Sequence, residues 1–147
     1  MDIFYEGQVL WAQIDANQHM RHTAYADFAA QARLTMLESL GMPPAVLYQY
    51  KIGPVLFREE LIYFREVRLN DYIKVTCDIT KSRRDGSRWT ISHELYRGDG
   101  VKAAKVVADG AWIDMEKRKL VILPPELSSL FMRAPKSADY IEEPEKQ

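Results

Sequence analysis

One helical run followed by strand-like runs is the feature that most limits how this chain can fold. From Ala24 to Leu40 the apolar residues Tyr25, Phe28, Ala29, Ala32, Met36, Leu37 and Leu40 recur at spacings of three and four, which predicts an amphipathic helix. Thr23 is a candidate N-cap, and Gly41 with Pro43-Pro44 is a stop signal. A helix of 17 residues spans about 25 Å, enough to lie across a sheet. The strand-like runs are Ile3–Ile14 before the helix, then Val55–Phe64, Tyr72–Lys81, Arg88–Arg97 and Val101–Met115. Two of them alternate cleanly: Ile73, Val75, Cys77, Ile79, and Trp89, Ile91, His93, Leu95. Short turn-like breaks at 68–71, 84–87 and 98–100 predict hairpins, so the pairing should be antiparallel.

The expected fold is therefore α+β, a five-stranded antiparallel sheet around one long helix. Such a sheet leaves edges and part of a face open, and association into a dimer by sheet extension or face packing would close them. Pro124-Pro125-Glu126 predicts a short helix reaching about Met132. Residues 134–147 are charged, hold two prolines and have little to bury, so they read as a flexible tail behind one domain over 1–133.

Composition excludes several roles. With 147 residues, 47% of them hydrophobic, the chain suits one domain with a real core. Twenty Lys+Arg against 21 Asp+Glu is not the basic excess of a protein that holds nucleic acid by its phosphates. The one cysteine, Cys77, forms no internal disulfide and reads as a core thiol. No run approaches a membrane span, and the acidic start lacks a signal-peptide pattern, so the expected compartment is the cytoplasm.

The densest polar cluster runs from Gln13 to Thr23, just before the helix. It holds Asp15, Asn17, Gln18, His19, Arg21 and His22. A helix N-terminus offers unpaired N–H groups and partial positive charge, which suit an oxyanion. A carboxylate facing such donors can act on a polarised carbonyl as nucleophile or base. Asp15, His19 and His22 lack the supporting pattern of a metal site, and no metal or other cofactor is expected. His93, on an apolar strand face, reads as a packed histidine. Lys81, Arg83, Arg84 and Arg88 flank a predicted hairpin turn; such a cluster is either solvated or holds phosphates.

The stretch Val9–Tyr25 resembles the opening motif of hotdog-fold acyl-CoA thioesterases of the 4-hydroxybenzoyl-CoA thioesterase-like family. The similarity continues through Ala32-Arg33, Ile52-Gly53-Pro54-Val55 and Leu69-Asn70-Asp71, over about residues 4 to 125. It implies a hotdog domain that hydrolyses an acyl thioester, with Asp15 on the family's catalytic aspartate and His22 as its partner. It implies an oxyanion site at the helix start, formed by N–H groups of His22, Thr23, Ala24 and Tyr25, with Asn17 and His19 in support. CoA phosphates would then fall to Arg83, Arg84 and Arg88, and the protein would be a homodimer or homotetramer. The substrate would be an acyl-CoA or an acyl carrier protein thioester. The chain departs from the family where Gln13 replaces an acid, Gln18 a glycine, and Arg21-His22 an Asn pair. Those departures leave room for a non-catalytic acyl-thioester binding protein; a hotdog dehydratase fits the motif poorly.

Overall fold

Strand β1 (Ile3–Gln8) opens the chain in the computed structural model, which describes residues 2–144. The predicted first strand stops there: Trp11–Gln13 tightens into a 3-10 turn, in which the Gln13 side chain accepts the Leu10 N–H at 2.8 Å. Helix α1 (His22–Ser39) follows, then α2 (Pro44–Tyr50) and β2 (Ile52–Tyr63). Next come β3 (Tyr72–Thr76), β4 (Asp78–Arg83), β5 (Arg88–Arg97), β6 (Lys102–Asp114) and β7 (Lys119–Leu120). Helix α3 (Pro125–Phe131) and β8 (Lys136–Glu143) complete the order. The sheet runs β1-β3-β5-β4-β8, with β6 joining β5 to β2 and β7.

The α+β class and the long helix stand as expected, with eight strands among the described residues in place of five; the break at 68–71 is not the predicted hairpin, because β2 pairs with β6 and β3 with β1 and β5. The run 72–81 divides at the buried Cys77. Apolar alternation passes straight through that break and hides it. Both halves border β5, and the partner on the other side changes there: β3 lies antiparallel to β1, whereas β4 lies parallel to β8. Strand β8 corrects the expectation of a flexible tail from 134 to 144; residues 145–147 lie outside the described ones. Its polar composition carries no strand signal, because it is an edge strand held by the β4 ladder and by a 2.7 Å hydrogen bond between Ser82 Oγ and Tyr140 Oη.

Packing divides the chain into two units, Met1–Thr35 with Glu60–Cys77 and Ser92–Val107, and Met36–Glu59 with Asp78–Ile91 and Ala108–Gln147. Helix α1 and strands β2, β5 and β6 each run through both. In the first unit the predicted helix stripe is buried at Ala24, Tyr25, Phe28, Ala29 and Ala32, and the Phe28 ring meets Tyr5 of β1 at 5.2 Å. In the second, Trp112 packs edge-on against Phe131 at 5.4 Å and Trp89 at 6.4 Å, and its Nε1–H donates to the Gly86 carbonyl at 2.9 Å. Gly86 has φ +78, and a Cβ there would lie 2.6 Å from Phe131, so only glycine suits this turn.

His93 is packed as predicted, 1% exposed. Its Nδ1–H donates to the Thr76 carbonyl at 2.8 Å, which leaves Nε2 to accept from Arg33 Nη1 at 3.0 Å. Burial, reinforced by the Arg33 charge, pushes the imidazole pKa down to about 3. The unfolded chain therefore takes up a proton near pH 6.5 that the folded chain refuses until about pH 3. Stability from this site is present above pH 6.5 and is lost as pH falls, with a slope of about 1.4 kcal/mol per pH unit. Urea unfolding of wild type and His93→Gln between pH 4 and 7 checks this: the variant should lack that component of the slope.

Candidate active site

The polar loop before α1 is a closed turn built around Asp15. The Asp15 N–H donates to the His19 carbonyl at 2.9 Å, and the Gln18 N–H returns to the Asp15 carbonyl at 3.0 Å. Gln18 sits at φ +67, in the left-handed region where glycine costs least, which accounts for the glycine common at this place in the resembled motif. Bridges from Ile14 to Met20 and from His19 to Arg68, with the Met20 N–H on the Val67 carbonyl at 2.6 Å, fix the turn against residues 66–68.

This turn aims the Asp15 carboxylate. Oδ1 accepts the backbone N–H groups of Asn17 at 2.9 Å and His19 at 3.2 Å. Asn17 and His19 thus touch the carboxylate through their main chains, not their side chains. Among the described residues Oδ2 has no hydrogen-bond partner, and the residue is only half-buried. One oxygen is anchored and the other is open to a reacting group.

Helix α1 begins at His22, so Thr23 sits within the first turn and is not the N-cap. Its hydroxyl accepts from Arg21 Nε at 3.0 Å, while Arg21 Nη1 donates to the Ala12 carbonyl and the Arg21 N–H to the Gln13 carbonyl at 2.7 Å. Arg21 and Gln13 therefore lock the loop to the 3-10 turn. The Ala24 N–H donates to the Arg21 carbonyl at 3.0 Å and is not available as an oxyanion donor. Tyr25 lies a full turn in, where helix N–H groups find i−4 carbonyls. Of the four predicted donors, His22 and Thr23 keep the free N–H positions of a helix start.

The Tyr25 side chain belongs to the site in another way. Its buried ring meets Tyr63 edge-on at 5.0 Å. Burial, then the neighbouring Tyr63, Asp15 and Glu66, push the phenol up to about 12, so it stays a neutral hydroxyl near the carboxylate. Tyr63 donates from its hydroxyl to the His22 carbonyl at 3.3 Å and so ties the end of β2 to the first residue of α1. Glu66 is held below the usual carboxylate range by its own backbone N–H, by Arg68 at 3.2 Å and by His19. Sequence reading misses Tyr63, Glu66 and Arg68, because only a turn signal marks that stretch and no spacing links it to Asp15. Among the described residues no group of three His, Cys, Asp or Glu is placed to hold a metal ion.

The basic hairpin lies wholly in the second unit. Arg84 pairs with Glu142 and Lys81 with Glu143, each at 3.5 Å, and the Arg88 guanidinium lies 5.0 Å from the Phe57 ring centre. Arg83 Nε is buried without a hydrogen-bond partner among the described residues.

Solved structures share this architecture. A hypothetical protein from Staphylococcus aureus, solved in complex with CoA, is 19% identical with a TM-score of 0.84, covering 96% of this chain and 90% of that one. A DHNA-CoA thioesterase from Staphylococcus aureus is 20% identical with a TM-score of 0.81, covering 88% and 87%. A 1,4-dihydroxy-2-naphthoyl-CoA thioesterase from Synechocystis is 17% identical with a TM-score of 0.77, covering 88% and 95%. The fold is thus the expected hotdog, although no curated protein matches the chain. A family model spans residues 9–131, from the residue after β1 to the end of α3. On that match the chain belongs to the Thioesterase-like superfamily.

Proposed function

We propose that the protein hydrolyses acyl thioesters, with acyl-CoA as the favoured class, and that Asp15 carries the reaction. The single observation behind this is the half-anchored carboxylate, with Oδ1 fixed by two backbone N–H groups and Oδ2 open. Family membership supplies the reaction class. Structural relatives include a chain solved with CoA and thioesterases named for aryl-CoA substrates, and they support CoA as the carrier. In the reaction Oδ2 attacks the thioester carbonyl carbon, or takes a proton from a water that does so. The N–H groups of His22 and Thr23 stabilise the oxyanion; one such donor is worth about 3 kcal/mol. The C–S bond then breaks and the thiol leaves. If Oδ2 is the nucleophile, water cleaves the resulting anhydride. The His22 side chain orients the thioester or water, and Arg83, Arg84 and Arg88 take the CoA phosphates.

The working unit in this reading is a homodimer or homotetramer. Among the described strands β2 pairs only with β6, and it carries the exposed side chains of Leu56, Phe57, Ile62 and Tyr63. Exposed apolar side chains on a strand at the end of the sheet path are suited to burial against a second copy. No helix among the described residues is long and apolar enough to cross a membrane, and we assign the protein to the cytoplasm. An acyl-CoA panel with a thiol-trapping reagent tests the function. Free CoA is the expected product; an enoyl product means a dehydratase, and binding without turnover means a carrier or regulator.

A further inference from the structure

We infer that strand β8 is an electrostatic gate on a phosphate-binding cavity of the second unit. The cavity, about 270 Å³, is lined by Lys81, Arg83, Arg88, Trp89, Asp109 and Glu143 among others, with the Asp109 carboxylate accepting from the Thr90 hydroxyl at 2.7 Å. Trp89 is more than nine-tenths buried, and its Nε1–H has no partner among the described residues; the same holds for the buried Arg83 Nε. Buried N–H groups are nearly always satisfied, so two unpaired donors at one cationic cavity point to an absent acceptor. Tetrahedral phosphate oxygens, held by guanidinium and indole N–H donors, are the matching chemistry.

One carboxylate of β8 already competes for that charge at the cavity, and a second holds the neighbouring Arg84. Glu143 lines the cavity and pairs with Lys81, and Glu142 pairs with Arg84, both at 3.5 Å. These pairs are partly exposed, and ion pairs of that kind exchange readily. β8 starts at Lys136, beyond residue 131 where the family match ends. A phosphate-bearing ligand enters by taking Lys81 from Glu143, and loss of the Glu142 charge beside it favours the same exchange. The inference rests on the proposed thioester reading only in making CoA the source of the phosphate.

The experiment is equilibrium binding of 3′,5′-ADP, the nucleotide portion of CoA, and of inorganic phosphate to the full-length protein. A Glu142→Gln/Glu143→Gln double variant should bind tighter by about 3- to 10-fold at low salt, with the gain shrinking as added salt screens the charges. Arg83→Met should weaken binding. Tightening for 3′,5′-ADP beyond that for phosphate makes the nucleotide the source; tightening for phosphate alone supports the gate with the free ion as its ligand. Unchanged affinity for both probes in the double variant overturns the gate. So does a gain half as large in Glu126→Gln, which removes one negative charge on α3 against the two removed from β8. Both readouts are independent of turnover: loss of hydrolysis leaves them intact, and a failed gate leaves the Asp15 reaction standing.

Discussion

Asp15→Asn is expected to lower kcat for acyl-CoA hydrolysis by about 10³-fold or more, because it removes the nucleophile or base and leaves the rest of the site. The substitution is nearly isosteric. An amide oxygen can still accept the N–H groups of Asn17 and His19, so the turn keeps its shape. The open position gains an NH₂ group or a neutral oxygen, neither of which attacks a carbonyl or takes a proton near neutral pH. The donors of His22 and Thr23 remain, so residual turnover reports oxyanion stabilisation alone. The variant should keep the oligomeric state and unfolding midpoint of the wild type, separating chemistry from folding. Single-turnover hydrolysis in ¹⁸O-water distinguishes the two roles of the carboxylate: label enters Asp15 only if Oδ2 forms an anhydride. An unchanged kcat would sink the assignment of Asp15.

Trp112→Ala is expected to produce the largest loss of stability, about 3–5 kcal/mol, as a large buried ring becomes a cavity. Trp112 is 1% exposed, sits between Trp89 and Phe131, and is tied to the Gly86 carbonyl. Removing the indole therefore also strands a buried carbonyl. Trp112→Phe keeps an aromatic ring but still loses the Nε1–H, and it should cost about 1–3 kcal/mol. Urea unfolding midpoints of the three proteins test the order wild type, Phe, Ala. Equal midpoints for wild type and the Ala variant would show that this cluster does not hold the second unit together.

Much of the candidate site was legible because its residues are contiguous. Asp15, Asn17 and His19 fall in one loop and His22 opens the helix that follows, so a linear pattern suffices to collect them. What each contributes was not legible. Asn17 and His19 act through backbone N–H groups, which any residue type could supply in that turn. Ala24 was predicted as a donor, but its N–H is spent on the Arg21 carbonyl once the helix starts at His22. Tyr63 stands 41 positions from His22 and has no local signature.

By itself the sequence determined the α+β class, the buried face of α1, the hairpin turns at 84–87 and 98–100 and the loop that holds Asp15. These are local or periodic properties, written in side-chain order and turn residues. Tertiary structure alone decided the break at Cys77, the pairing of β8 with β4, and the meeting of Tyr63 with Tyr25 and His22. Each depends on which distant segment lies alongside, and the periodicity of a strand is the same whichever partner it takes. The polar edge strand β8 is the clearest case: its order comes from the ladder it joins, since its own side chains bury too little to require one.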